Sequence, residues 1–89
     1  MKEYTYIPSG VCARRITFSL EGGRIYGLSF EGGCNGNLKA IGRLAEGQPA
    51  ARIADILKGN DCKGRGTSCA DQLSKAIEKA LSEDPSQQI

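Results

Sequence analysis

Between Ala13 and Leu20 the apolar residues Ile16, Phe18 and Leu20 alternate with Arg15, Thr17 and Ser19, a period of two that predicts a half-buried strand. Glu21-Gly22-Gly23 supplies turn chemistry, and from Arg24 to Glu31 the alternation resumes with Tyr26, Leu28 and Phe30 on one face. Together the two runs predict an antiparallel hairpin. Tyr4 to Ile7 offers a third strand, broken by Pro8-Ser9-Gly10 ahead of Cys12.

After Gly32-Gly33-Cys34-Asn35-Gly36-Asn37 the period lengthens to that of a helix. Leu38, Ile41, Leu44 and Ala45 share one predicted face, with Asn37 as N-cap and Gly47 as the stop. Pro49 is expected to open a second helix in its first turn, with Ile53, Ile56 and Leu57 on one face, until Gly59-Asn60 closes it. The loop from Asp61 to Cys69 leads into the strongest helical pattern, a stripe of Ala70, Leu73, Ala76, Ile77, Ala80 and Leu81. Thr67 or Ser68 is its expected N-cap, and Asp71 sits near the positive end of the helix dipole. Strands first and helices second predict an α+β fold. The expected architecture is an N-terminal antiparallel hairpin, three-stranded if the first segment joins it, then two or three helices, with a four-cysteine site joining the loops. Residues 1–82 are expected to form one domain and 83–89 a frayed tail.

Composition narrows the chemistry. A chain of 89 residues supports one core, and at this size folding buries only about 60–65% of the unfolded surface. With two Phe, three Tyr and no Trp, that core must come mostly from Ile, Leu, Val and Ala, a shortage that a metal or cross-link relieves. No His is present, which removes Ser-His-Asp and Cys-His catalysis and every Cys/His zinc pattern. A net charge of +2 gives little pull on nucleic acid or anionic lipid. Arg14-Arg15 and Lys63/Arg65 are the local basic candidates, but the basic loop has no aromatic stacking platform, so nucleic acid is not the expected partner. No segment approaches the roughly 20 apolar residues of a membrane span. Met1 to Tyr6 lacks the apolar run of a secretory signal, so the expected location is the cytoplasm. There, cysteines at this density ligate metal or do redox chemistry more often than they form bridges.

The four cysteines sit at element boundaries: Cys12 before the first long strand, Cys34 after the second, Cys62 in a loop and Cys69 at a helix start. A hairpin puts the beginning of one strand and the end of the next at the same end of the sheet, which predicts Cys12 near Cys34. If the Cys62–Cys69 loop packs on that end, four sulfurs meet. Four thiolates suit a structural zinc ion with no position left for substrate. Iron accepts the same sulfur set, and no C-x2-C knuckle discriminates between the metals. A metal-free alternative is a thiol–disulfide protein, in which Cys69, at a helix N-terminus near Lys63 and Arg65, is the nucleophile and Cys62 its resolving partner. Ordinary buried thiols are the plainest reading. A further alternative is a zinc-ribbon-like nucleic-acid module using Arg14, Arg15, Lys63 and Arg65. Gly64 and Gly66 fit neither phosphate-loop pattern and read as a tight turn.

Gly66-Thr67-Ser68-Cys69-Ala70-Asp71-Gln72 resembles the signature of the TSCPD domain family, named for Thr-Ser-Cys-Pro-Asp. Ala70 stands where the family name has Pro, an exchange that the first turn of a helix accepts. The resemblance continues through Pro8-Ser9-Gly10-Val11-Cys12, the Gly32 to Leu38 turn, and Leu57-Lys58-Gly59 leading to Cys62, and is with the short stand-alone subgroup. It implies a C-terminal piece of, or partner to, adenosylcobalamin-dependent ribonucleotide reductases. By the same resemblance, the chain has a part in deoxyribonucleotide supply, with a reductase catalytic subunit as partner. Members often carry the label ribonucleoside-diphosphate reductase. Radical reduction needs a large barrel with a thiyl cysteine, a redox pair and a nucleotide pocket, so the chain is not expected to be catalytic alone. The expectation is an accessory module in which Cys12, Cys34, Cys62 and Cys69 hold zinc. Lys63 and Arg65, with Thr67 and Ser68, then contact a partner or an anion. An exposed sheet edge leaves a homodimer open.

Overall fold

The computed structural model describes residues 2–11, 13–32, 35–59 and 67–84. Its elements run β1 (Lys2–Tyr6), β2 (Ala13–Glu21), β3 (Arg24–Gly32), α1 (Asn35–Ala45), α2 (Ala50–Leu57) and α3 (Cys69–Glu83). The strands form one antiparallel sheet in the order β1-β2-β3, so the α+β fold is the three-stranded version with three helices.

The alternation read in β2 is the one that folds. Ile16, Phe18 and Leu20 on this central strand are sealed from solvent and form the core with Ile25 of β3 and Leu73 and Ile77 of α3. Phe18 also stacks on Tyr4 across the β1–β2 pair, ring centroids 5.7 Å apart. In β3 the predicted single face is wrong. Ser19 pairs with Tyr26 while Thr17 pairs with Ser29, so β3 carries one extra residue between them. Such a bulge reverses the side-chain parity. Ile25 therefore faces the core with Leu20, Tyr26 faces away with Ser19, and Phe30 returns to the core face opposite Ile16. Gly27 permits the bulge with φ +61°, and its N–H donates to Glu46 Oε1 at 2.8 Å, tying the irregularity to the end of α1. A second irregularity lies between Ala13 and Arg15, where both Arg14 and Arg15 reach Glu31, at 4.0 and 3.5 Å.

Helix boundaries shift slightly from expectation. α1 begins at Asn35, so Asn37 lies inside its first turn and is not the cap. Pro49 immediately precedes α2 and does not occupy its first turn. Gly47 N–H donates to the Ile25 carbonyl at 2.7 Å, Ile25 N–H to Gln48 at 3.0 Å, and Ala50 N–H to Gly23 at 2.8 Å. The α1–α2 turn thus covers the first part of the outer edge of β3, which would otherwise present unpaired backbone groups. Gly42 lets α1 run close to β3, since a Cβ there would stand 3.0 Å from the Leu28 carbonyl oxygen.

Two predicted core residues point outward: Leu44 is 77% exposed and Ile56 62%. α1 buries Leu38 and Ala45 with Ile41 packed against the core, and α2 buries the small Ala50 and Ala54 with Ile53 and Leu57 packed against the core, which leaves Leu44 and Ile56 on the outer flank of each helix. The α3 stripe is buried as read, Leu81 only partly. Asp71, Gln72 and Ser74 are buried with it. No helix among the described residues is long and apolar enough to cross a membrane.

Candidate functional site

A helix beginning leaves backbone N–H groups without partners, and the residue in front of α3 answers that need. Ser68 is extended (φ −152°, ψ 171°); its Oγ accepts from the Asp71 N–H at 3.0 Å, and its carbonyl accepts from the Gln72 N–H at 2.8 Å. Ser68, and not Thr67, is therefore the N-cap.

That leaves the Thr67 hydroxyl for a second role. It donates to Asp71 Oδ2 at 2.6 Å and accepts from Gln72 Nε2 at 3.0 Å. The other carboxylate oxygen, Oδ1, accepts from the Gly59 N–H at 2.7 Å. Lys75 Nζ stands 3.8 Å from Oδ2, one turn along the helix. Asp71 is only 5% exposed. Its carboxyl is nevertheless held below the ordinary carboxylate value, chiefly by the Thr67 hydroxyl and next by the Gly59 N–H, with Lys75 adding to them and burial opposing. Gln72 extends the network in the other direction, its Oε1 accepting from the Ser9 N–H at 3.2 Å. A Cβ on Gly10 would lie 3.5 Å from the Thr67 methyl group, which packs this turn onto the same threonine. Among the described residues no buried side-chain polar atom lacks a partner.

The result is a clasp. Asp71 and Gln72 fasten the start of α3 to the segment after β1 and to the end of α2. Gly59 and Thr67, which bracket residues 60–66, both bond to one carboxylate. At the far end of the β2–β3 pair, Ala13 and Gly32 are register partners.

Of the residues singled out from sequence, Cys69 is the first residue of α3 and half-buried, and Thr67 and Ser68 hold the positions just given. Cys12, Cys34, Cys62, Lys63 and Arg65 lie outside the described residues. Among the described residues no hydrogen bond involves the Cys69 thiol, and no group of three His, Cys, Asp or Glu side chains could hold a metal. Arg14 and Arg15 share Glu31, which weakens them as a basic footprint. Sequence reasoning misses Asp71 and Gln72 as the hub. The Thr67/Asp71 and Asp71/Lys75 spacings of four are the available signal. Ser9 and Gly59 are brought in only by the fold.

The sequence model of the TSCPD domain matches residues 1–81. The chain belongs to the TSCPD domain family. No curated protein and no solved structure matches it. The family is associated with ribonucleotide-reductase-related proteins. In this TSCPD domain the signature residues have separate roles. Ser68 caps the helix, Thr67 and Asp71 form the clasp, and Ala70 is buried in the first turn.

Proposed function

We propose that this TSCPD domain is an accessory module of ribonucleotide reduction whose Cys12, Cys34, Cys62 and Cys69 hold one zinc ion, with Lys63 and Arg65 facing a reductase catalytic subunit. One observation carries the reading: described residues next to or bracketing the cysteines are drawn together in pairs. Ala13 pairs with Gly32, and Gly59 and Thr67 meet on Asp71, two residues beyond Cys69. Four thiolates neutralise and enclose zinc without leaving a position for substrate, so the ion would act as a fastener for loops that a small core cannot hold. Iron is the alternative occupant of the same donor set.

Elemental analysis with thiol counting on protein purified under reducing, anaerobic conditions tests this. The expected result is about one zinc per chain with all thiols shielded until a chelator is added. Each Cys→Ser variant should then lose both metal and fold. Metal-free protein with all four thiols titratable, or a Cys→Ser series that folds normally, overturns the proposal.

A second reading is favoured by Cys69 itself, a half-buried thiol in the first turn of a capped helix. In a thiol–disulfide protein Cys69 would exchange with Cys62, and one thiol of metal-free protein would alkylate much faster than the rest.

A further inference from the structure

Between α1 and β3 lies a groove of about 540 Å³, a size within the range of small-molecule sites. Its lining is divided. Leu28 and Phe30 of β3 and Leu38 of α1 supply apolar side chains, and the helix comes closest to the strand at Gly42, one turn after Leu38, beside the Leu28 carbonyl. One position further on, Lys39 and Arg43 line the same groove, again one turn apart. Both are exposed, and among the described residues neither has an ion pair. The acid in the lining, Glu46, accepts from the Gly27 N–H at 2.8 Å, at the end of α1 away from Lys39.

We propose that this groove binds a small organic anion, with an apolar body laid over Leu28, Phe30 and Leu38 and a carboxylate or phosphate held by Lys39 and Arg43. Neither half of the lining makes a site by itself. Two exposed cations attract any anion weakly, and salt screens them; an apolar surface binds without fixing orientation. A ligand that carries both features in one molecule satisfies both walls at once. The planar fork of Arg43 matches a carboxylate or phosphate through paired hydrogen bonds, and Lys39 adds a second charge on a flexible stem. Glu46 repels an anion from its own end of the groove, so the acid group belongs toward Lys39 and the apolar body along β3. With the cations in contact with water, a ligand of about 15 heavy atoms is expected to bind with Kd on the order of 0.1–1 mM.

The test is a titration of the isotopically labelled full chain with naphthyl phosphate and, separately, with naphthoate, followed by amide chemical shifts. At least one of the two should shift amides within 28–32 and 38–46 saturably, and the tighter one names the anion. Inorganic phosphate and neutral naphthol, each carrying half of the ligand, should bind at least tenfold more weakly. The double variant Lys39→Glu with Arg43→Glu should lose at least tenfold in affinity, whereas Arg52→Glu, a reversal at an exposed position of α2 outside the groove, should leave it unchanged. Should the double reversal unfold, Lys39→Gln and Arg43→Gln decide singly, each expected to weaken binding about threefold. No saturable shift up to about 5 mM ligand, shifts centred on 53–57 of the apolar surface between α1 and α2, naphthol binding as well as the anions, or charge variants without effect overturns the proposal. The groove contains no cysteine among its lining residues, so a failed zinc reading leaves this result intact.

Discussion

Asp71→Asn keeps the shape of the clasp and removes its charge, which makes it the sharpest probe of what holds the start of α3. The carboxylate accepts from the Thr67 hydroxyl at 2.6 Å and from the Gly59 N–H at 2.7 Å. Hydrogen bonds to charged groups contribute about 1.5–3 kcal/mol, against about 0.5–1.5 kcal/mol between neutral ones. In the variant the amide oxygen can serve Gly59, but the amide N–H then turns toward Thr67 Oγ1. That oxygen already accepts from Gln72 Nε2, and its own proton loses the partner it had. Two weakened bonds, one of them reversed, predict a cost of about 2 kcal/mol. For a domain of this size that corresponds to a fall in Tm of roughly 10 °C. Asp71→Ala would strand both donors and cost about 3–4 kcal/mol, a large part of the stability of a small domain, so Asn is the informative change. Urea unfolding at constant metal load is the assay, with an unchanged m-value confirming that the native state itself has lost stability. Thr67→Val should be strongly coupled to Asp71→Asn in a double-mutant cycle, by about 1 kcal/mol. A loss under about 0.5 kcal/mol, or costs that simply add, would show that the network does not act as a clasp.

Three further outcomes follow from the fold. Gly27→Ala should cost about 1–2 kcal/mol, because Gly27 has φ +61° while nothing lies within 4 Å of an added Cβ; Asn at the same position should cost less, and equal melts for both would refute the backbone origin. Gly42→Ala gains about 1 kcal/mol in helix propensity, yet its Cβ would meet the Leu28 carbonyl oxygen at 3.0 Å, so a net loss in a denaturant melt is expected and a net gain would mean α1 moves freely on β3. Tyr4 donates to Asp84 Oδ2 at 3.3 Å, and its pKa is raised, first by burial and then by Asp84. A folded-state value above the unfolded one, about 10, makes this contribution complete below that pH and lost as pH rises through the folded value. The difference in stability between wild type and Tyr4→Phe should therefore change on the alkaline side and stay level from neutral pH to about pH 9; a change within that range would contradict the assignment.

What is legible in the chain depends on how local its cause is. The β2 alternation and the α3 stripe each arise from one continuous period, and both fold as read. Tyr26 departs from its expected face because a single glycine with positive φ inserts a residue and reverses the parity, and Gly27 does not announce a bulge within an otherwise regular alternation. Leu44 and Ile56 fit a helical stripe in sequence, but helices of 11 and 8 residues bury only what their neighbours cover. The neighbours meet α2 at Ala50 and Ala54. At the site, residue chemistry narrows the cap to Thr67 or Ser68, while the choice between them depends on Asp71. Its partner Gly59 is twelve residues away, and Ser9 lies 63 residues from Gln72. Such contacts follow from the packing of elements and carry no spacing rule.

The clasp also bears on how a metal reading and a fold reading relate. Ser68, Thr67 and Asp71 have full occupation as cap and hydrogen-bond partners without any ion, so the signature is needed for the architecture whether or not its cysteine binds metal. Cys69 is the signature residue with no such role among the described contacts. Because Gly59 and Thr67 bond to the same carboxylate, the short stretch between them has its ends fixed by protein contacts alone. Fixing the ends of a short loop removes much of the chain entropy that a ligand carried on it would otherwise lose on binding. On the zinc reading the hydrogen bonds would bring Gly59 and Thr67 together, and the metal would add a second fastening. On the thiol–disulfide reading the same bonds would confine the partner of Cys69 to a short reach. In both, the role of Asp71 would be to hold Gly59 and Thr67 together.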